Sequence, residues 1–203
     1  MAYAHSKHFT HFFGRVNPSP SFEQRASSEY NTIKGLLEDR QGPAAILSPV
    51  CFLQGSYRRQ TAIYSINDID MIVLCRLWHP PAPGGGSGRS YGRDEIFSVI
   101  AAPLLADQRY RPKVSYGPQS MCIEVDLGIK VEILPVVYKA GNNDPDQEPF
   151  RLYRPQTGNW EDGFARYHQA WLSDKNSAAR TQGNLIPMIK LLKHPSSKSE
   201  IPG

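Results

Sequence analysis

Two aspartates one residue apart, Asp68 and Asp70, open the stretch "DIDMIVL". A strand sends alternate side chains to opposite faces, so the two carboxylates share one face and Ile69 takes the other. Carboxylates held that close repel unless a cation lies between them. Hard oxygen ligands suit Mg²⁺ or Mn²⁺, which carry substrate phosphates on their remaining positions. Asp-x-Asp by itself is equally the pattern of two solvated acids at a strand start, so the surrounding residues must decide. Just upstream, "FLQGS" ends an apolar run in Gly55-Ser56, where a small residue lets backbone N–H groups and a hydroxyl approach a phosphate. Metal-assisted transfer also wants a third carboxylate facing the pair. "SMCIEVDL" and "KVEILPVVY" offer Glu124, Asp126 and Glu132. Glu132 is favoured because Val131 and Ile133 fall on the opposite face as a core-facing pair, whereas Asp126 lies next to a turn and is the alternative.

The elements that must position these groups read as mixed α/β, without internal repeats. "SPSFEQRASSEYNTIKGLLEDRQG" predicts a helix capped by Ser19 or Ser21 and ended by Gly42-Pro43. Phe22, Ala26, Tyr30, Ile33 and Leu37 recur along it at helical spacing, which predicts a core-facing stripe. "SPVCFLQGS" reads as a strand ending in a Gly-Ser turn, and "DIDMIVLCRL" as a second strand. "HPPAPGGGSGRSYG" (79–92) reads as a surface connection; it lacks the Gly-Lys-Ser/Thr of a phosphate-binding loop. "DEIFSVIAAPLLADQRY" predicts a helix starting near Ser90 or Asp94, and the two acidic strands flank Gly128 as a hairpin. "KAGNNDPDQEPF" reads as a loop, and "WEDGFARYHQAWLSDKN" and "GNLIPMIKLLKH" as helices. Residues 1–20 show no period and are expected to be partly mobile. A metal cluster of His5, His8 and His11 is disfavoured there, because no carboxylate stands near to orient them.

Composition sets the limits. A chain of 203 residues with 40% hydrophobic and 21% charged residues has the balance of a globular domain. No apolar run approaches the ~20 residues that span a bilayer, and the N-terminus lacks a signal-peptide core, so neither a membrane partner nor secretion is expected. Cys51, Cys75 and Cys122 lie in apolar stretches, as buried free thiols of a cytoplasmic protein would. A net charge of +4, dispersed along the chain, favours an anionic partner without the basic block of a nucleic-acid-binding tail.

Taken together, "FLQGSYRRQTAIYSINDIDMIVL" resembles the signature of the polymerase-β-like nucleotidyltransferases, and "KVEILPVV" resembles the strand that carries their third acid. The N-terminal helix and "NLIPMIKLLKH" make the chain similar to the branch containing cyclic GMP–AMP synthase, oligoadenylate synthase and the bacterial CD-NTases of anti-phage signalling. The resemblance implies a mixed sheet flanked by helices, with residues 21–150 as the catalytic core and 151–203 as the start of a helical lobe that is cut short. It implies that Asp68, Asp70 and Glu132 bind Mg²⁺ or Mn²⁺, and that Gly55, Ser56, Lys190 and Lys193 meet the phosphates of a nucleoside triphosphate. Lys193 is the better placed of the two lysines, and an activating protein or nucleic acid is left unspecified. The product would be a cyclic or linear oligonucleotide second messenger. The alternatives are an inactive nucleotide-binding module, or a minimal enzyme that modifies a protein, tRNA or drug. Three features depart from the pattern: Glu132 where Asp is usual, Gln60 where Gly is frequent, and an end soon after Lys193 where relatives continue.

Overall fold

The computed structural model describes residues 11, 13–77, 91–117, 122–139 and 148–193. Helix α1 (Pro20–Leu37) starts where Ser19 caps it, its hydroxyl accepting the Phe22 N–H at 3.1 Å. It ends at Leu37, one turn before Gly42-Pro43, because Pro43–Leu47 forms a separate 3₁₀ turn. Strand β1 (Pro49–Gln54) runs into a single helical turn, α2 (Gly55–Arg58), where the sequence predicted only a bend. Strand β2 (Asp68–Cys75) is followed by α3 (Arg93–Ala106), capped by Gly92; Ser90 and nearly all of the 79–92 loop lie outside the described residues. Three strands come next: β3 (Val114–Tyr116), β4 (Ile123–Asp126) and β5 (Lys130–Tyr138), the last two being the expected hairpin. Most of the loop read at 139–150 is likewise outside the described residues.

The segment after it departs from the helical expectation. Phe150–Arg154 (β6) and Asn159–Gly163 (β7) form a second hairpin, and helix α4 begins only at Ala165 and runs to Lys175. "WEDG" is therefore strand, and Gly158 at φ +68° supplies the left-handed turn that closes the hairpin. Helices α5 (Ala178–Thr181) and α6 (Leu185–Lys193) complete the described chain. Near the N-terminus, residues 13–16 are helical and Val16 is buried, its carbonyl accepting the Tyr64 N–H at 2.8 Å. The described part of the stretch expected to be mobile is thus packed onto the domain, while His5 and His8 lie outside the described residues.

The seven strands form one mixed sheet, ordered β1-β2-β5-β4-β3. The β2–β5 pair is parallel and places Asp70 opposite Glu132. The far edge of β5 is shared: β4 pairs with its first half, and β6 pairs with its second. Alternation gives the sheet two characters. Ile69, Met71, Val73, Val131, Ile133 and Val137 join Ala26, Ile33 and Leu37 of α1 and Ile96, Phe97 and Ile100 of α3 in the main core. The other face starts with Asp68, Asp70, Lys130 and Glu132, then turns apolar at Ile72, Leu74 and Val136, which pack with Phe150.

The core makes a stability prediction. Leu37 is fully buried where α1 meets the sheet, whereas Met188 is 50% exposed. Leu37→Ala is expected to cost about 2–5 kcal/mol in urea unfolding. Met188→Ala is expected to stay within about 0.5 kcal/mol of the parent. Equal effects of the two changes would contradict the packing described.

Candidate active site

The carboxylate face is built by three adjacent strands. The parallel register puts Asp70 beside Glu132, and the antiparallel β4–β5 register puts Glu124 beside Glu132 on the other side. Asp68 stands one pleat back, level with Lys130. Ile69, Val131 and Ile133 are fully buried on the reverse face, as alternation requires. Asp126 does not join the row: its carboxylate accepts the Gly128 N–H at 2.9 Å and so closes the hairpin turn.

Crowding shows in the titration of these acids. Burial, and after it the charge of Asp68, raises the Asp70 carboxyl above the usual range, with Arg59 acting in opposition. Burial, then Asp70, likewise raises Glu132, against the pull of Lys130. Gly55 is what allows Asp70 to stand where it does. At φ +72° it has the left-handed conformation that glycine tolerates, and a Cβ there would lie 1.6 Å from the Asp70 Oδ2. The donor set is three carboxylates on one face, with Asp70 packed under a glycine. That chemistry fits a divalent cation. Among the described residues, no three His, Cys, Asp or Glu side chains are arranged to hold a metal ion as they stand.

The turn that follows Gly55 walls a cavity of about 270 Å³ lined by Ser56, Arg59, Thr61, His168, Trp171 and Lys193, among others. Lys193 reaches it from α6, donating to the Thr61 carbonyl at 3.2 Å and to its hydroxyl at 3.4 Å. Arg59 Nε donates to the Gly55 carbonyl at 3.0 Å, which ties the guanidinium to the turn above Asp70. The turn itself is held by the Ser56 carbonyl, which accepts the Thr61 N–H at 2.9 Å and the Ala62 N–H at 3.1 Å. Closing it requires a left-handed residue, and Gln60 supplies φ +58°. A glycine would adopt that conformation without steric cost.

Ser56 and Lys193 are thus brought together, but Lys190 is not. Its ammonium donates to Asn17 Oδ1 at 2.6 Å, lies over the Phe13 ring, and is only 8% exposed. Burial lowers its pKa. It faces a separate cavity, lined by Asn17, Tyr57 and Gln60 among others, on the other side of the turn. Sequence reading missed Arg59, His168 and Trp171. Arg59 had a signal in the paired Arg58-Arg59 after Gly55-Ser56, whereas His168 and Trp171 enter only through the tertiary placement of α4.

Comparison with known proteins agrees with this architecture. The chain is similar in structure to the CdnE c-UMP-AMP synthase of Rhodothermus marinus, solved with Apcpp and Upnpp, at TM-score 0.63 and 19% identity, over 89% of this chain and 63% of that one. It is similar to the STING-associated CdnE c-di-GMP synthase of Capnocytophaga granulosa at TM-score 0.63 and 16% identity, over 94% of this chain and 58% of that one. A third match is the CD-NTase CdnG of Bradyrhizobium diazoefficiens, in complex with GTP, at TM-score 0.57 and 15% identity, over 80% of this chain and 45% of that one. The chain therefore spans between 45% and 63% of the length of these relatives. No curated protein sequence matches it. The fold, a mixed sheet with flanking helices, is the one these solved structures share. Residues 3–176 match the Second Messenger Oligonucleotide or Dinucleotide Synthetase domain, and the chain belongs to that family.

Proposed function

We propose that the chain carries out metal-dependent nucleotidyl transfer, in which a hydroxyl oxygen attacks the α-phosphorus of a nucleoside triphosphate and pyrophosphate leaves. One observation carries the reading: Asp70 and Glu132 stand in register on the face that also bears Asp68, and the turn that follows Gly55 walls a cavity lined by Ser56, Arg59 and Lys193. Asp68, Asp70 and Glu132 would hold Mg²⁺ or Mn²⁺, which supplies charge neutralisation on the phosphate oxygens and activates the attacking hydroxyl. The turn at Gly55 leaves room for Asp70, and the Ser56 hydroxyl and the cations of Arg59 and Lys193 bind and orient the triphosphate. Lys190, committed to Asn17, braces α6.

The reading extends to a product. Two relatives carry the names of cyclic dinucleotide synthases, and this supports a cyclic or linear oligonucleotide made from ATP, GTP or other triphosphates. Such a product would serve as a second messenger of bacterial anti-phage defence, made in the cytoplasm.

The acids should act as a unit, because the ions they hold do both the positioning and the neutralising. Asp68→Asn and Asp70→Asn are each expected to abolish pyrophosphate release from mixed nucleotides and Mn²⁺, with circular dichroism unchanged. The double variant should be little worse than either single one. A wild-type chain that binds nucleotide without turnover would leave a binding module in place of the enzyme.

Lys193→Ala is expected to weaken nucleoside triphosphate binding by roughly tenfold, the scale of one charge-assisted contact, and to leave nucleoside binding little changed. Calorimetry showing equal losses for both ligands would remove Lys193 from the phosphate site.

The crowded acids also predict a pH dependence. The Asp70 carboxyl is raised in the folded state, so between its ordinary value and its folded value the native chain binds more protons than the unfolded one. Stability then falls as pH rises through that window. In chelator, Asp70→Asn should melt above wild type at pH 7, and the gap should close toward pH 4. A melting-temperature gap that is constant with pH would contradict the repulsion.

A further inference from the structure

The carboxylate row contains one cation of its own. Lys130 opens β5, and its backbone N–H donates to the Asn67 carbonyl at 2.7 Å, which fixes it level with Asp68. Its ammonium lies 3.7 Å from Glu132 Oε1 and 3.6 Å from Glu124 Oε1, between the proposed ligand and an acid with no part in holding the ion. Glu124 is a prepared seat. Its Oε1 is buried and accepts no hydrogen bond, the ion pair with Lys130 being just too long for one. Gly117 lets it sit there, since a Cβ at that residue would lie 2.9 Å from Glu124 Oε1 and 2.3 Å from Cys122 Sγ. A buried carboxylate oxygen whose ion pair is this long is costly, so Glu124 gains from a closer contact with the ammonium. Glu132 is the acid that needs the ammonium until a divalent ion arrives.

We propose that Lys130 is a tethered counter-cation that neutralises Glu132 in the ion-free protein and transfers to Glu124 when a divalent cation binds. The inference rests on the metal-binding reading given above and adds to it two positioning residues, Lys130 and Glu124. Lys130 competes with the ion for Glu132 and so weakens ion binding. Glu124 offsets that competition by receiving the ammonium, and so strengthens it. The two residues therefore act in opposite directions on one measured quantity, although a simple count of charges near the ion would give each a fixed effect independent of the other.

The test uses the full 203-residue chain and Mn²⁺ alone, with free Mn²⁺ followed by electron paramagnetic resonance at low ionic strength. Lys130→Met should tighten Mn²⁺ binding by roughly fivefold, the upper range for a partly exposed ion pair. Lys130→Arg, which keeps the cation, should restore an affinity near wild type. Glu124→Gln should weaken binding by roughly threefold in the wild-type background and have little effect once Lys130 is Met. In chelator, Lys130→Met should lower the melting temperature, and saturating Mn²⁺ should raise it by more than it raises wild type. A merely structural lysine would lower stability in both conditions. If Asp70→Asn binds Mn²⁺ like wild type, the metal reading fails and this inference falls with it. If Asp70→Asn loses Mn²⁺ but Lys130→Met leaves the affinity unchanged or weakened, the counter-cation alone is overturned. It is overturned equally if Glu124→Gln costs as much with Lys130 absent as with it present.

Discussion

Asp70 stands beneath Gly55 with no room for a methyl group between them. That contact joins the two halves of the site. Gly55 begins the turn that carries Ser56, Arg59 and Thr61 toward the cavity, while Asp70 belongs to the strand beside Glu132. Any side chain at Gly55 would have to push the turn off the sheet or push the carboxylate out of the row. Arg59 reinforces the same junction by bonding the Gly55 carbonyl and presenting its charge to Asp70. Phosphate pocket and acid row are therefore positioned by one close approach of backbone to carboxylate.

The sheet supplies that approach with a rigid base. On β2 and β5, every residue that faces α1 and α3 is apolar and buried, so neither strand can slip by one position without driving carboxylates into the core. The register that matches Asp70 to Glu132 is thus fixed by Ile69, Met71, Val131 and Ile133 rather than by the acids, which repel one another. Beyond Glu132 the outer face becomes apolar at Ile72, Leu134 and Val136, and the β6–β7 hairpin covers it through Phe150 and Leu152. The polar part of the face is confined to the first two pleats of the parallel pair. It is the core, not the site, that holds the site together.

Much of this was legible from residue type and period. The α1 stripe, the strand from Asp68, the hairpin about Gly128 and the buried thiols all follow from alternation and turn chemistry, which are local. So does the common face of Asp68 and Asp70. The second hairpin was missed because "NWEDG" carries one apolar side chain, Trp160, among polar and exposed ones, so that neither a strand nor a helix period stands out. Its signal was the Thr157-Gly158 turn after the short β run "FRLYR". The short helix at Gly55 and the left-handed Gln60 were not legible, because long-range packing against Asp70 and α6 fixes them. The place of Lys130 level with Asp68 depends on the parallel pairing of β2 with β5, and no local pattern gives that.

Lys190 and Lys193 show how spacing on a helix can mislead. Three residues apart, they lie within about 60° of each other around the axis, close enough to read as one basic face. The turn ending at Thr61 meets α6 between them. Lys193 passes on one side to the Thr61 carbonyl and hydroxyl, and Lys190 passes on the other to Asn17 and the Phe13 ring. A buried ammonium with an amide oxygen as its partner carries a desolvation cost that lowers its pKa, and the charge of Glu23 offsets only part of it. Its contact links α6 to the segment before α1, and with it the angle at which Lys193 enters the cavity. One lysine of the pair sets the position from which the other can reach a phosphate.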